Sequence, residues 1–116
     1  MNAMQAAVSL GVAPEAAKEY LSKCADVVES GQYVATLKGN TVHLAANVKG
    51  LGGRKLLREC RATLYEWFKT APILYAPVKH GNIKAVRMAK ALGFAPYDTT
   101  PTHIWLLQTK EHFDGH

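Results

Sequence analysis

Ala17, Leu21, Cys24 and Val28 recur at intervals of four, three and four, the spacing that lines one face of an α-helix. Pro14 suits the first turn of that helix, Glu15 suits its positive end, and Gly31 supplies the stop. Ahead of it, residues 1–12 are rich in Ala and Met and read as a short helix or a loose arm. Beyond Gly31 the period drops to two. Gln32–Leu37 is β-favouring, Lys38-Gly39-Asn40 is a compact turn, and Thr41–Val48 alternates again. The pattern predicts a hairpin closed by a three-residue loop. In its second strand Val42, Leu44 and Ala46 share one face, and Thr41, His43, Ala45 and Asn47 share the other.

The helical period returns between about Arg54 and Lys69. There Leu57, Cys60, Leu64, Trp67 and Phe68 fall on one side, while Arg54, Lys55, Arg58 and Arg61 load the first two turns. Pro72 breaks it, and Ile73–Val78 is a short apolar run suited to a central strand. His80-Gly81-Asn82 leads into a helix over Ile83–Leu92 that Gly93 ends. Ala95–Thr102, with Pro96 and Pro101, reads as extended but irregular, and His103–Thr109 alternates as a last strand. The order α, β, β, α, β, α, β predicts an α/β (α+β) domain with a mixed sheet flanked by helices. The strand-helix-strand unit around residue 50 is expected to be a right-handed crossover between parallel strands.

Composition narrows this picture. A length of 116 residues suits one domain spanning 1–116, and 48 % apolar with 20 % charged residues is a globular composition. No apolar run approaches the roughly 20 residues that cross a bilayer, so no membrane association is expected. The first residues lack the basic and apolar segments of a signal peptide. Cys24 and Cys60 form no CxxC and no Cys/His pair at ligand spacing, which points away from a metal site and toward a reduced, cytoplasmic setting. A formal charge of +5 favours a polyanionic partner: nucleic acid, a phosphorylated cofactor or an acidic protein.

VKGLGGRKLLREC, residues 48–60, sets three glycines immediately before the basic helix. Two readings stand. The glycines make a tight strand-to-helix turn, or they let the backbone N–H groups at a positive helix end converge on a phosphate. The segment is neither of two familiar phosphate loops. Lys55 is followed by Leu56, which breaks GxxxxGK[ST], and Lys55 stands where GxGxxG needs its last glycine.

A second segment, HGNIKAVRMAKALGF at residues 80–94, bears on the choice. Asn82, Ala85, Met88, Gly93 and Phe94 match in type and spacing the closing motif of the GNAT superfamily of acyl-CoA N-acyltransferases. The preceding ILYAPVK looks like the family's strand before that helix, and VKGLGGRKLL resembles its CoA pyrophosphate loop. The resemblance spans about residues 33–109. It implies a GNAT-like fold with a mixed, mostly antiparallel central sheet, abbreviated at the N-terminal side. The loop fits in two registers: one pairs Gly50 with Gly52, and the other takes Gly53 as the last small residue and puts Leu51 at the glycine position. Where many members carry a Tyr seven residues after the motif Asn, this chain has Ala89. The short N-terminal side, and LxGxxK followed by a basic helix and GN…GF, also resembles small GNAT-like internal virion proteins of short-tailed bacteriophages.

What the resemblance implies is direct transfer of an acyl group from acetyl-CoA, or another acyl-CoA, to a primary amine. Val48, Gly50, Leu51, Gly52, Gly53, Arg54, Lys55 and Asn82 would bind the cosubstrate, with Asn82 open to the plain alternative of a helix N-cap. His43 and His80 are the candidate bases, since imidazole titrates in the useful range. The competing readings are a GNAT-shaped binding or virion protein without turnover, and nucleic-acid binding through Arg54, Lys55, Arg58, Arg61, Lys84 and Arg87. The last is disfavoured, because no aromatic residues interleave those charges. Exposed sheet edges leave a homodimer open.

Overall fold

In the computed structural model, which describes residues 2–9, 11–30, 33–46 and 53–115, the chain begins with a reciprocal cap. Asn2 Oδ1 accepts from the Gln5 amide at 2.8 Å while Gln5 Oε1 accepts from the Asn2 amide at 3.0 Å, a capping box that starts α1 (Ala3–Ser9). The N-terminal residues are thus a helix rather than a loose arm. Ala3 and Ala6 are buried with Val34, and Leu21, Val27 and Ala45 pack around them. The Ala3 amide also donates to the Glu29 carboxylate.

Contacts divide the chain into two units, Met1–Gly52 and Gly53–His116. In the first, α1 is followed by α2 (Pro14–Ser22), β1 (Asp26–Glu29), β2 (Tyr33–Lys38) and β3 (Thr41–Ala46). The expected helix through Val28 stops at Ser22. Lys23 closes it with its N–H turned back on the Tyr20 carbonyl and the Cys24 N–H on that of Leu21, and the Ala25 amide then donates to Leu37 O at 2.7 Å. That bond commits the β-branched pair Val27-Val28 to β2, opposite Thr36 and Ala35, so strand pairing overrides the helical spacing. β2 is buried from Tyr33 to Leu37 on both faces. The hairpin to β3 is tighter than its predicted three-residue loop. Lys38 pairs with Thr41, only Gly39-Asn40 turns, and Gly39 alone takes a positive φ, 59°, as the first central position of a II′-type turn requires.

The second unit runs α3 (Gly53–Phe68), β4 (Ile73–Lys79), α4 (Ile83–Ala91), β5 (Ala95–Thr99), β6 (His103–Thr109) and α5 (Lys110–Asp114). α3 buries Leu56, Cys60, Leu64, Trp67 and Phe68; Leu56 takes the place expected for Leu57, which is half-buried. β6 lies between β4 and β5, antiparallel to both, with Leu74 and Leu106 fully enclosed. The Ala95–Thr102 stretch is more regular than its prolines suggest. It forms the exposed strand β5, with a register shift between Pro96 and Asp98. α5 was not expected at all. Thr109 Oγ1 caps it by accepting from the His112 amide, and Phe113 stacks on Phe68 with centroids 4.9 Å apart.

Every strand pairing within the two units is antiparallel. The crossover expected around residue 50 runs through residues outside the described set. Among the described residues no helix is long and apolar enough to cross a membrane.

Candidate functional site

Of the eight positions expected to bind a cosubstrate, Val48, Gly50, Leu51 and Gly52 lie outside the described residues. The other four stand at two helix starts. Gly53, Arg54 and Lys55 form the first turn of α3, where backbone N–H groups have no intrahelical acceptor. Among the described residues none of these three amides donates to a carbonyl elsewhere in the chain. Arg54, Lys55 and Arg58 are exposed, and neither Arg54 nor Lys55 has an ion pair among the described residues. The turn carries no acidic residue. Three amides at the positive end of a sixteen-residue helix, beside two exposed cations that have no ion pair among the described residues, suit an anion.

Asn82 is the N-cap of α4. Its Oδ1 accepts from the Ala85 amide at 3.2 Å, and Gly81 before it turns the chain at φ 88°. The plain alternative for Asn82 is therefore present, and its exposed side chain keeps an amide group for other contacts. At the other end of α4, the Gly93 amide donates to Lys90 O and the Phe94 amide to Ala89 O, both at 3.0 Å. This pair of bonds is a Schellman motif with Gly93 at φ 101°. It explains in physical terms why Gly-Phe closes the segment: glycine reverses the chain, and Phe94 is carried into the core, 5 % exposed.

His80 follows β4, and its Nε2–H donates to the Thr100 carbonyl at 2.7 Å while its backbone N–H donates to Thr102 O at 3.1 Å. A carbonyl only accepts, so this ring nitrogen is committed to lacing β4 to the turn before β6, and the neutral ring keeps its lone pair on Nδ1.

His43 is placed differently. It lies on β3 directly opposite Thr36 of β2, with Tyr20 of α2 on the same face. Tyr20 Oη is 2.9 Å from His43 Nδ1 and 3.2 Å from Thr36 Oγ1, and the two rings meet edge to face at 5.8 Å. Lys38 Nζ sits 5.1 Å above the Tyr20 ring. Burial pushes the Tyr20 phenol above its ordinary value, with the Thr36 hydrogen bond acting in the opposite direction. Neither Tyr20 nor Thr36 was singled out from the sequence. Their signal was the cross-strand pairing of Thr36 with His43, which follows once the hairpin loop is counted as two residues.

Cys60 and Cys24 are free thiols with different access. Burial, and then the Glu59 charge, pushes the Cys60 thiol up to about 12, from an ordinary 9.0. The folded thiol thus holds its proton where an unfolded one loses it. Cys60 contributes stability that is complete below pH 9.0 and is lost as the pH rises toward about 12, at up to about 1.4 kcal/mol per pH unit. Denaturant titrations should show Cys60→Ala with a flatter decline over that window. At pH 8 iodoacetamide should modify half-buried Cys24 and spare Cys60 until the protein is unfolded, as peptide masses would show.

No protein-family model matches the chain, and no curated protein matches it in sequence. Solved structures do match. An aminoglycoside acetyltransferase, AAC(6')-Ib in complex with coenzyme A, is similar with a TM-score of 0.66 and 15 % identity, over 90 % of this chain and 82 % of that one. The N-acetyltransferase PseH of Campylobacter jejuni matches with a TM-score of 0.55 and 24 % identity, over 67 % of this chain and 59 % of its own. The ribosomal-protein-S5-alanine acetyltransferase from Vibrio fischeri matches with a TM-score of 0.57 and 16 % identity, over 69 % and 55 %. The resemblance carried by Asn82, Ala85, Met88, Gly93 and Phe94 therefore extends to three dimensions, and this chain has the fold of the GNAT acetyltransferases.

Proposed function

We propose that the chain is an acyl-CoA-dependent N-acyltransferase that uses acetyl-CoA and acts on a primary amine of a small molecule or protein. The observation that carries this reading is the first turn of α3, whose amides and two exposed cations suit a diphosphate, in a fold matched over 90 % of its length by a coenzyme A complex. Arg54 and Lys55 attract the diphosphate and the amides of Gly53, Arg54 and Lys55 orient it. The amine attacks the thioester carbonyl once it has lost a proton, and the thiolate leaves. His43 is the base in this reading. It is exposed and half-enclosed in a hydrogen-bonded cluster, whereas His80 spends its Nε2–H on a backbone carbonyl. Asn82 steadies the start of α4 and presents its remaining amide hydrogens to the pantetheine arm.

Calorimetric titration with acetyl-CoA should give one saturable site per chain, and the same concentrations should raise the melting temperature. Free thiol should then appear when a panel of amines is added: an aminoglycoside, a polyamine and a peptide with a free N-terminus. Neither heat nor a melting shift at millimolar acetyl-CoA would remove the proposal. A second reading, a GNAT-shaped binding protein without turnover, is favoured by Ala89. Its methyl is 8 % exposed against the core, so no acid stands there for the departing thiolate. Binding of acetyl-CoA without thiol release on any amine would select it.

A further inference from the structure

A groove of about 350 Å³ lies in the second unit, where α3, the end of α4 and α5 meet. Arg61 and Tyr65 line it from α3, the stretch from Lys90 to Gly93 from the close of α4, and Phe113 and Asp114 from α5. Ligand clefts run from roughly 300 to 1,000 Å³, so this one has room for a molecule of amino-acid size and not for an acyl-CoA. Arg54, Lys55 and Asn82 do not line it.

The charges around the groove are not spent on one another. Arg61 donates one N–H to the Ala91 carbonyl at 3.3 Å, capping the negative end of α4, and its guanidinium carries four more donors. Lys90 stands in the last turn of the same helix. Compensation of the α4 dipole accounts for both cations. Asp114 has no such account. It ends α5, where an acid opposes the helix dipole. Among the described residues it forms no ion pair with Arg61, Lys90 or any other cation. The two rings are fixed in advance: Lys69 Nζ stands 4.9 Å from the Tyr65 centroid, and Phe113 stacks on Phe68 at 4.9 Å. A simple anion would meet the cations but be repelled by Asp114, and a simple amine would be repelled by the cations. A molecule with both charges and an apolar body satisfies all of them.

We infer that this groove binds a free α-amino acid with an aromatic side chain. Its carboxylate lies toward Arg61 and Lys90, its ammonium toward Asp114, and its ring against Tyr65 and Phe113. The inference does not depend on the acetyl-CoA reading.

Nitrogen–proton correlation spectra of the protein without acetyl-CoA, titrated with L-phenylalanine, test it. Saturable shifts are expected at the amides of residues 90–93 and 113–115, with millimolar affinity for so small a ligand. N-acetyl-L-phenylalanine lacks the ammonium and L-phenylalaninamide lacks the carboxylate. Each should bind about fivefold more weakly, the upper scale of one exposed ion pair. Arg61→Gln should weaken phenylalanine about fivefold and leave phenylalaninamide unchanged, while Asp114→Asn should weaken phenylalanine and leave the N-acetyl compound unchanged. If Arg61→Gln lowers the melting temperature by uncapping α4, Lys90→Gln, which has no bond to a helix carbonyl among the described residues, carries the same test. No saturable shift up to about 50 mM phenylalanine overturns the inference. Equal binding of all three ligands, or losses that do not follow the pairing of variant with ligand, overturns it as well, because the contact would then be with the ring alone.

Discussion

Gly93→Ala is expected to cost about 3 kcal/mol of folding stability, a large effect for one methyl group on a small domain. Two causes add. At φ 101° a Cβ is strained against its own backbone, which costs roughly 1–2 kcal/mol. The same Cβ would then stand 2.4 Å from Gln108 Nε2 and 3.1 Å from Gln108 Cδ. A long side chain on a surface would swing aside, but Gln108 is 2 % exposed on β6, between the strands that flank it. Its amide has no hydrogen-bond partner among the described residues, so tight packing is what holds it in place. A double-mutant cycle separates the two causes. In a Gln108→Ala background the clash is gone, and Gly93→Ala should cost only its backbone share, about 1–2 kcal/mol. Equal cost in both backgrounds, read from urea midpoints, would show that Gln108 does not constrain the turn.

The same turn shows what was legible in the sequence. Gly93 stops α4 because the Schellman geometry admits little else, and β6 keeps its predicted bounds, His103–Thr109. Where local preference and tertiary pairing agree, spacing suffices. They disagree at residues 23–29. Ala17, Leu21, Cys24 and Val28 have helical spacing, yet one backbone bond from Ala25 to Leu37 takes Val28 into a strand. The hairpin loop had a wider consequence. A three-residue loop pairs His43 with Ala35, whereas the two-residue turn pairs it with Thr36 and so assembles the Tyr20 cluster. A slip of one residue thus hid the polar partners of a candidate base that the sequence did supply. α5 escaped notice for a different reason: its five residues carry too little periodic signal, and only the Thr109 cap and the Phe68–Phe113 stack reveal it.

Reversing both cations, Arg54→Glu with Lys55→Glu, is expected to weaken acetyl-CoA binding roughly 100-fold, since four units of charge change within a few ångströms of a diphosphate. The affinity of the unaltered protein should fall as salt rises from about 0.05 to 0.5 M, and that of the variant should respond far less. The fold should move the other way. An α-helix favours acids in its first turn, and α3 has none there but two exposed cations. These residues oppose the helix dipole by a few tenths of a kcal/mol each, so the double reversal should leave the melting temperature of the free protein unchanged or slightly raised. Lys69→Glu with Lys110→Glu changes net charge equally, but at the far end of α3 and at the start of α5, and should leave the affinity within about twofold. Equal weakening in both double variants would mean that net charge alone attracts the cosubstrate. Loss of affinity confined to the α3 start, without loss of stability, would show that its cations serve an anion at a cost to the helix that carries them.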